Sequence, residues 1–181
     1  MLWMIASDIH GSNYYAEMLF KRFSEMKADK LILLGDLLYH GPRNDLPKDY
    51  APKKVAALLN AHKDKILTVR GNCEAEVGQM MLDFPALGDY AYLYLDGVTI
   101  FASHGHHEGE NAPPPIKNNE ILLCGHTHIP KCTPHDGFVY MNPGSVSIPK
   151  EGSAHSFMTY ENGVFKWIDL ETNEVYREYR V

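Results

Sequence analysis

Five apolar segments of this 181-residue chain end in short polar motifs that combine potential metal ligands with glycine. Glycine allows the backbone to turn sharply or to approach a ligand closely. In α/β proteins, ligands bind at the carboxyl ends of strands. The pattern therefore restricts the chain to folds that bring several strand ends together. The motifs are Asp8-Ile9-His10-Gly11, Gly35-Asp36, Arg70-Gly71-Asn72, His104-Gly105-His106 and Gly125-His126-Thr127-His128.

The first half of the chain alternates predicted strands and helices. Short apolar runs predict strands, and apolar residues at helical spacing predict helices. In chain order these elements cover residues 2–7, 12–26, 31–34, 51–61, 66–69 and 74–82. A βαβαβ order of this kind predicts a parallel sheet. The second half is rich in predicted strands and contains a hairpin signal at Asp96-Gly97. We therefore expect a single domain over residues 1–181, with two sheets and helices on the outside.

The side chains in these motifs indicate the kind of metal site. All are oxygen or nitrogen donors, which suit Mn²⁺, Fe or Zn²⁺ better than a structural zinc site rich in cysteine. Seven donors exceed what one tetrahedral ion takes, but they fit two ions that share a carboxylate, an arrangement that hydrolyses phosphate esters. Each motif alone could be a turn or a helix cap. Their recurrence after five predicted strands favours metal binding over these structural roles. The seven are Asp8, His10, Asp36, Asn72, His104, His126 and His128.

The order and spacing of these motifs resemble the calcineurin-like metallophosphoesterase superfamily over roughly residues 4–149. Two further segments, Gly41-Pro42-Arg43-Asn44 and residues 142–149, resemble more narrowly the small bacterial YfcE-type phosphodiesterases. The resemblance implies an α/β fold, a four-layer αββα sandwich in which helices flank two mixed β-sheets. It also implies that the metals lie at the carboxyl ends of strands.

Carried over by motif, the resemblance implies two metal sites joined by one bridging carboxylate. Asp8, His10 and His128 would hold one ion, Asn72, His104 and His126 the other, and Asp36 both. A water or hydroxide between the ions would then attack phosphorus in line with the leaving group. Mn²⁺ is the expected metal, and Fe, Zn²⁺, Ni²⁺ and Mg²⁺ are compatible with these donors.

Cys73 stands where many members of the superfamily carry a histidine that protonates the leaving group. A thiol with an ordinary pKa near ~8.5 suits that task poorly at neutral pH, which favours diesters or activated esters over alkyl monoesters. The alternative is that Cys73 is only a small buried residue. His106 is the other candidate acid or substrate contact, and Arg43 is the candidate phosphate-binding residue. Glu74 could orient Cys73 or cap the following helix, and it is interpreted as a helix cap.

The leading hypothesis is a dinuclear-metal-dependent phosphodiesterase that acts on small phosphodiesters. The alternatives are a metal-stabilised scaffold, like the retromer subunit of the same superfamily, and a phosphomonoesterase. The net charge of −6 argues against a nucleic-acid face and long polyanions. Two divalent ions beside Asp8 and Asp36 would nevertheless make the cleft locally cationic.

The cellular setting is predicted from absences in the sequence. No apolar run approaches the ~18 residues of a membrane span, and the first residues do not resemble a signal peptide. Three widely spaced cysteines do not suggest a disulfide framework. We therefore expect a cytoplasmic protein with no membrane partner, and the resemblance suggests a homodimer or a higher homo-oligomer.

Overall fold

The computed structural model describes residues 1–117 and 120–181, and it arranges them as two β-sheets packed face to face. In the described part of the chain the first sheet has six strands. In spatial order they are β11 (Val175–Arg180), β10 (Val164–Asp169), β9 (Ser156–Glu161), β1 (Trp3–Ala6), β2 (Lys30–Leu33) and β3 (Ile66–Thr68). Strands β1, β2 and β3 are parallel, as predicted, whereas β9 is antiparallel to β1. The carboxyl ends of the parallel strands therefore lie side by side.

The second sheet has five strands within the same described ranges. In spatial order they are β4 (Tyr90–Leu95), β5 (Val98–Ser103), β6 (Glu120–Leu123), β8 (Phe138–Pro143) and β7 (Pro130–Pro134). Strands β5, β6 and β8 are parallel, so this sheet also gathers strand ends at one edge. Asp96 and Gly97 close the β4–β5 hairpin with positive φ angles, as the turn signal predicts. Strand β7 was not predicted, because it begins and ends with proline, which argues against a strand in most positions. It forms here because β7 is an edge strand, where proline is tolerated.

The helices cover the outer face of the first sheet. They are α1 (Asn13–Glu25), α2 (Pro52–Asn60) and α3 (Glu76–Gln79), and a 3₁₀ turn spans Lys63–Lys65. Leu19 and Phe23 of α1 pack with Val55 of α2 against Met4 and Leu31 of the sheet. Helix α3 is much shorter than the predicted helix over residues 74–82. None of the helices in the described ranges is long and apolar enough to cross a membrane.

A second core lies between the two sheets. Ile5 and Ile32 of the first sheet pack against Ile100 and Ile121 of the second, and the fully buried Trp167 joins them. On the outer face of the second sheet, Ile116 of the loop after β5 packs with Phe101 and Leu122 in a smaller cluster, whereas Tyr92 and Tyr94 of β4 are exposed. The predicted α/β fold with two mixed sheets and helices on the outside is confirmed, and the helices of the described ranges pack on the first sheet.

Candidate metal centre

The polar motifs after the parallel strands meet at one edge of the sandwich. The backbone N–H of Asp8 donates to the Gly35 carbonyl at 3.1 Å, and that of His10 donates to the Asp36 carbonyl at 2.8 Å. Gly35 has a φ of +91°, and a Cβ placed on it would lie 2.5 Å from the backbone nitrogen of Gly71. Glycine is required there because the loops after β2 and β3 touch through their backbones.

Five of the seven candidate ligands have a left-handed backbone conformation. Such φ angles are uncommon outside glycine, and they persist only where the surrounding structure enforces them. Strained residues of this kind cluster at active sites and ligand clamps, so their concentration at this edge supports a functional role. The residues are Asp8 (φ 58°), His10 (49°), Asp36 (54°), His126 (69°) and His128 (62°).

Asp8, His10 and His128 form the first donor group. Oδ1 of Asp8 lies 3.5 Å from Nε2 of His10 and 3.2 Å from Nε2 of His128, and the two Nε2 atoms are 3.2 Å apart. Ligand atoms about 2.1 Å from one ion, at angles of about 90–109°, are separated by roughly 3.0–3.4 Å. The spacing of this group therefore fits one metal ion.

Asp36 connects this first group to a second one. Its Oδ2 lies 3.6 Å from Nε2 of His10 and 3.5 Å from Nε2 of His104. Nε2 of His104 in turn lies 3.1 Å from Oδ1 of Asn72. The ring of His126 stands at the partly exposed rim, with its centroid 5.0 Å from that of His104. One oxygen of Asp36 thus faces both groups, which is the position that a bridging ligand occupies.

Backbone contacts fix the tautomer of three of these histidines. A carbonyl oxygen can only accept a hydrogen bond, so each Nδ1 carries a proton, and each Nε2 presents a lone pair when the imidazole is neutral. These lone pairs point at carboxylate oxygens, and Asp8 Oδ1 is buried with no hydrogen-bond partner among the described residues. A cation between the acceptors resolves this conflict, so the residues fit a bound metal. The contacts are His10 to Tyr39 (2.8 Å), His104 to Leu34 (2.6 Å) and His128 to Ile148 (2.6 Å).

The buried carboxylates make this edge attract positive charge. Burial raises the pKa of Asp8, but the imidazoles of His10 and His128 hold that pKa well below its usual range. Burial lowers the pKa of His104, yet the carboxylates of Asp36 and Asp8 outweigh it and raise that pKa to about 9. His104 therefore binds a proton tightly when the site holds no metal ion.

Glu74 has a structural role that the sequence interpretation missed. Its buried carboxylate accepts three backbone N–H bonds, from Asp36 at 2.7 Å, from Leu37 at 2.8 Å and from Gly71 at 2.6 Å. The interpretation as a helix cap is wrong, because α3 follows Ala75 and the carboxylate is occupied by the strand-end loops. Glu74 clamps the loops after β2 and β3 together. Its place beside the Gly71-Asn72 motif is the only signal that the sequence contains.

The end of β8 and the segment after it fix the backbone of Asp8 and of Gly125 by hydrogen bonds. The hydroxyls of Ser145 and Ser147 both donate to the Asp8 carbonyl, at 2.8 and 3.0 Å. The Asn142 side chain donates to the Gly125 carbonyl at 2.6 Å. These bonds hold the left-handed backbone of Asp8 and the turn before His126, in keeping with the expectation from the sequence that residues 142–149 shape the loop near residues 125–128.

Cys73 and His106 lie beside the donor groups. The backbone N–H of Cys73 donates to Oδ1 of Asp36 at 2.8 Å, and burial together with the Asp36 charge raises the pKa of the thiol. The His106 ring centroid lies 5.3 Å from that of His104. Burial and the neighbouring imidazoles lower the pKa of His106 to about 4. At neutral pH both side chains are therefore uncharged.

A cleft of about 360 Å³ opens above the donor groups and has cationic side chains in its wall. Arg43 and Lys150 line it, together with Asp36, Asn72 and His126. Arg43 is exposed, and within the described ranges no carboxylate lies within ion-pair distance of its guanidinium. Lys150 carries no sequence signal. The two cations are placed where a phosphate would approach the metal ligands.

Comparison with known proteins identifies the family. The model of the calcineurin-like phosphoesterase superfamily domain matches residues 1–162. Phosphodiesterase YfcE of Escherichia coli K12 is 42% identical over 175 residues, which are 97% of this chain and 95% of the relative. A solved structure of YfcE, a phosphoesterase from E. coli, is 40% identical and has a TM-score of 0.97 over all of both chains. Wild-type Vps29 complexed with Zn²⁺, from Entamoeba histolytica, shares the fold at 17% identity, with a TM-score of 0.60 over 100% of this chain and 98% of that one. The chain therefore belongs to the calcineurin-like phosphoesterase superfamily.

Proposed function

We propose that the protein is a metal-dependent phosphodiesterase that hydrolyses small phosphodiesters with two divalent ions, preferably Mn²⁺. The observation that carries the proposal is the position of Asp36, whose Oδ2 faces both His10 and His104. Membership of the superfamily and 42% identity to a phosphodiesterase support the same reaction.

In this proposal the donor groups divide into two metal sites. A bound pair of divalent ions supplies an activated water and neutralises charge that develops on the phosphate oxygens. The backbone contacts of Nδ1 orient the imidazoles, so that each Nε2 would face an ion and could coordinate it once its proton is lost. Glu74 keeps Asp36 between the sites. Asp8, His10 and His128 would hold one ion, Asn72, His104 and His126 would hold the other, and Asp36 would contribute to both.

The substrate is positioned by side chains around the cleft. Arg43 can form two parallel hydrogen bonds to phosphate oxygens, and Lys150 adds a second positive charge. His106 is neutral at pH 7, so one ring N–H can donate to the phosphate or to the leaving oxygen. The Cys73 thiol, with its raised pKa, is a weak proton donor. The site therefore favours esters whose leaving groups need little protonation, as in activated diesters.

Hydrolysis of bis(p-nitrophenyl) phosphate tests the proposal. Protein stripped by a chelator should be inactive, and reloading with Mn²⁺ should restore turnover. Asp36→Asn should lower kcat by about 100-fold or more, since even supporting residues of metal sites contribute about 10–100-fold. Asp45→Asn, at an exposed carboxylate of the neighbouring loop, is the matched control and should leave kcat unchanged.

Two results would reject the proposal in favour of the alternatives. Metal-loaded protein that turns over neither diesters nor monoesters would indicate a scaffold. Preferential turnover of p-nitrophenyl phosphate over the diester would indicate a phosphomonoesterase.

A further inference from the structure

An apolar cavity of about 490 Å³ opens beside the candidate metal centre. Leu38, Tyr50, Val77, Met81 and Leu82 supply much of its lining. These residues come from the loop after β2, the segment before α2 and the region of α3. The cavity therefore lies between the helical layer and the strand ends that carry the metal ligands.

The cavity and the metal centre share part of one wall. Cys73 lines the cavity, and its Sγ lies within 4.8 Å of the ligand atoms of His10 and Asp36. Tyr39 also lines it, and the Tyr39 carbonyl accepts the Nδ1–H of His10 at 2.8 Å. The side chain of Cys73 thus stands between a ligand group in the cavity and the candidate ligands.

A third cavity continues from the apolar one toward the phosphate-binding side. It measures about 410 Å³, and it shares Tyr39 and Cys73 with the apolar cavity and Arg43 and Asn72 with the metal cleft. The three cavities therefore adjoin one another along one groove of the surface, with Cys73 and Arg43 in the shared walls. The groove has metal ligands and Arg43 at one end and an almost entirely hydrocarbon lining at the other.

Large apolar side chains are unusually exposed at the apolar end. Val77 is 72% exposed, Tyr39 45% and Met81 42%. A contiguous exposed apolar patch often marks a binding site, because its hydration is unfavourable until a ligand covers it. The lining offers few polar groups, so its ligand is an alkyl or aryl group rather than a sugar or a second phosphate.

We propose that this cavity is a subsite for an apolar ester substituent of the phosphodiester. The proposal rests on the phosphodiesterase function proposed above. With the phosphate between the metal ligands and Arg43, one ester group would extend past Cys73 and pack against Val77 and Met81. Each methylene that enters the cavity should raise kcat/KM by up to about fourfold.

A series of p-nitrophenyl alkyl phosphates tests the subsite. The methyl, butyl and hexyl esters share one leaving group, so their chemical steps are closely matched. With the Mn²⁺-loaded enzyme we expect kcat/KM to rise by about tenfold or more from methyl to hexyl. Val77→Asp should reduce the hexyl-to-methyl ratio by about tenfold, because a carboxylate would have to be desolvated.

Met80→Asp is the matched control for this variant. Met80 directly follows α3, is 85% exposed and does not line the cavity, so the same substitution adds the same charge. The hexyl-to-methyl ratio should be unchanged in Met80→Asp. An equal fall in both variants would show a general charge effect and overturn the subsite.

A binding measurement separates this proposal from the proposed function. Calorimetry with hydrolysis-resistant hexyl and methyl methylphosphonates should show tighter binding of the hexyl compound, and Val77→Asp should abolish the difference. If the methyl ester is hydrolysed but kcat/KM does not rise from methyl to hexyl, the subsite is overturned while the proposed phosphodiesterase function stands. No turnover of any ester overturns the phosphodiesterase, and the phosphonate comparison then decides the subsite alone. If kcat/KM is the same for all the esters and the protein is a dimer that Val77→Asp dissociates, the apolar cavity is instead part of an interface with a second copy of the chain.

Discussion

Replacing Glu74 with glutamine should destabilise the metal-free protein by a measurable amount. Oε2 accepts from Asp36 and Gly71, and Oε1 accepts from Leu37. The glutamine oxygen can replace only one carboxylate oxygen, so its NH₂ group must face at least one backbone N–H. A buried donor left unpaired costs about 1–3 kcal/mol. Burial and then the Asp36 charge raise the pKa of Glu74, so removing its charge relieves some repulsion. The net loss should be about 1–2 kcal/mol.

The same substitution should weaken metal binding, because Glu74 fixes the loop that carries Asp36. Supporting residues of metal sites typically contribute about 10–100-fold in affinity. Urea unfolding of the metal-free protein measures the stability, and Mn²⁺ titration calorimetry measures the affinity. Glu76→Gln, an exposed glutamate two residues further on, is the control and should behave like the wild type. Glu74→Gln within about 0.3 kcal/mol of the wild type, with unaltered Mn²⁺ affinity, would refute the clamp.

Three further predictions concern the residues around the metals. His104, whose pKa rises from 6.5 to about 9, stabilises the metal-free fold fully below pH 6.5, and this stability is lost as the pH rises to about 9. Urea unfolding at pH 6 and pH 9 should show the loss, and His104→Gln should reduce it; an equal loss in both proteins would contradict the assignment. Cys73→His should raise monoester turnover relative to diester turnover in a p-nitrophenyl assay, and unchanged selectivity would contradict a role for this position in protonation. Arg43→Ala should raise KM for the diester about tenfold with Arg43→Lys intermediate, whereas an unchanged KM would exclude a phosphate contact.

The strand framework was predictable because burial leaves a direct mark on the sequence. Strands covered on both faces appear as continuous apolar runs, and β1, β2 and β6 follow that rule. The polar motif after each run then indicated which ends would meet. Strand β7 leaves no such mark, since only two of its residues between the terminal prolines are partly buried.

The extent of α3 depended on contacts that the sequence does not display. Apolar spacing predicted a helix over residues 74–82, but the helix ends at Gln79. The Gln79 side chain bonds to the carbonyls of Leu82 and Phe84 and accepts from Ala86 N–H, and it thereby stabilises the following loop instead of a further helical turn.

The types of ligand were predictable, but the atoms that orient them were not. Nδ1 of His10 donates to the carbonyl of Tyr39, and Nδ1 of His128 donates to that of Ile148. Any residue offers a backbone carbonyl, so these partners carry no sequence signal. The Glu74 clamp and the apolar cavity also depend on packing between distant segments, and only the structure reveals them.

Two metal ions that share Asp36 make turnover depend on metal stoichiometry. Metal-free protein can be titrated with Mn²⁺ while hydrolysis of bis(p-nitrophenyl) phosphate is followed at each addition. We predict little turnover up to one equivalent per chain, a rise between one and two equivalents, and a plateau at two. A plateau at one equivalent, or no turnover at saturating Mn²⁺, would contradict the two-metal phosphodiesterase proposed here.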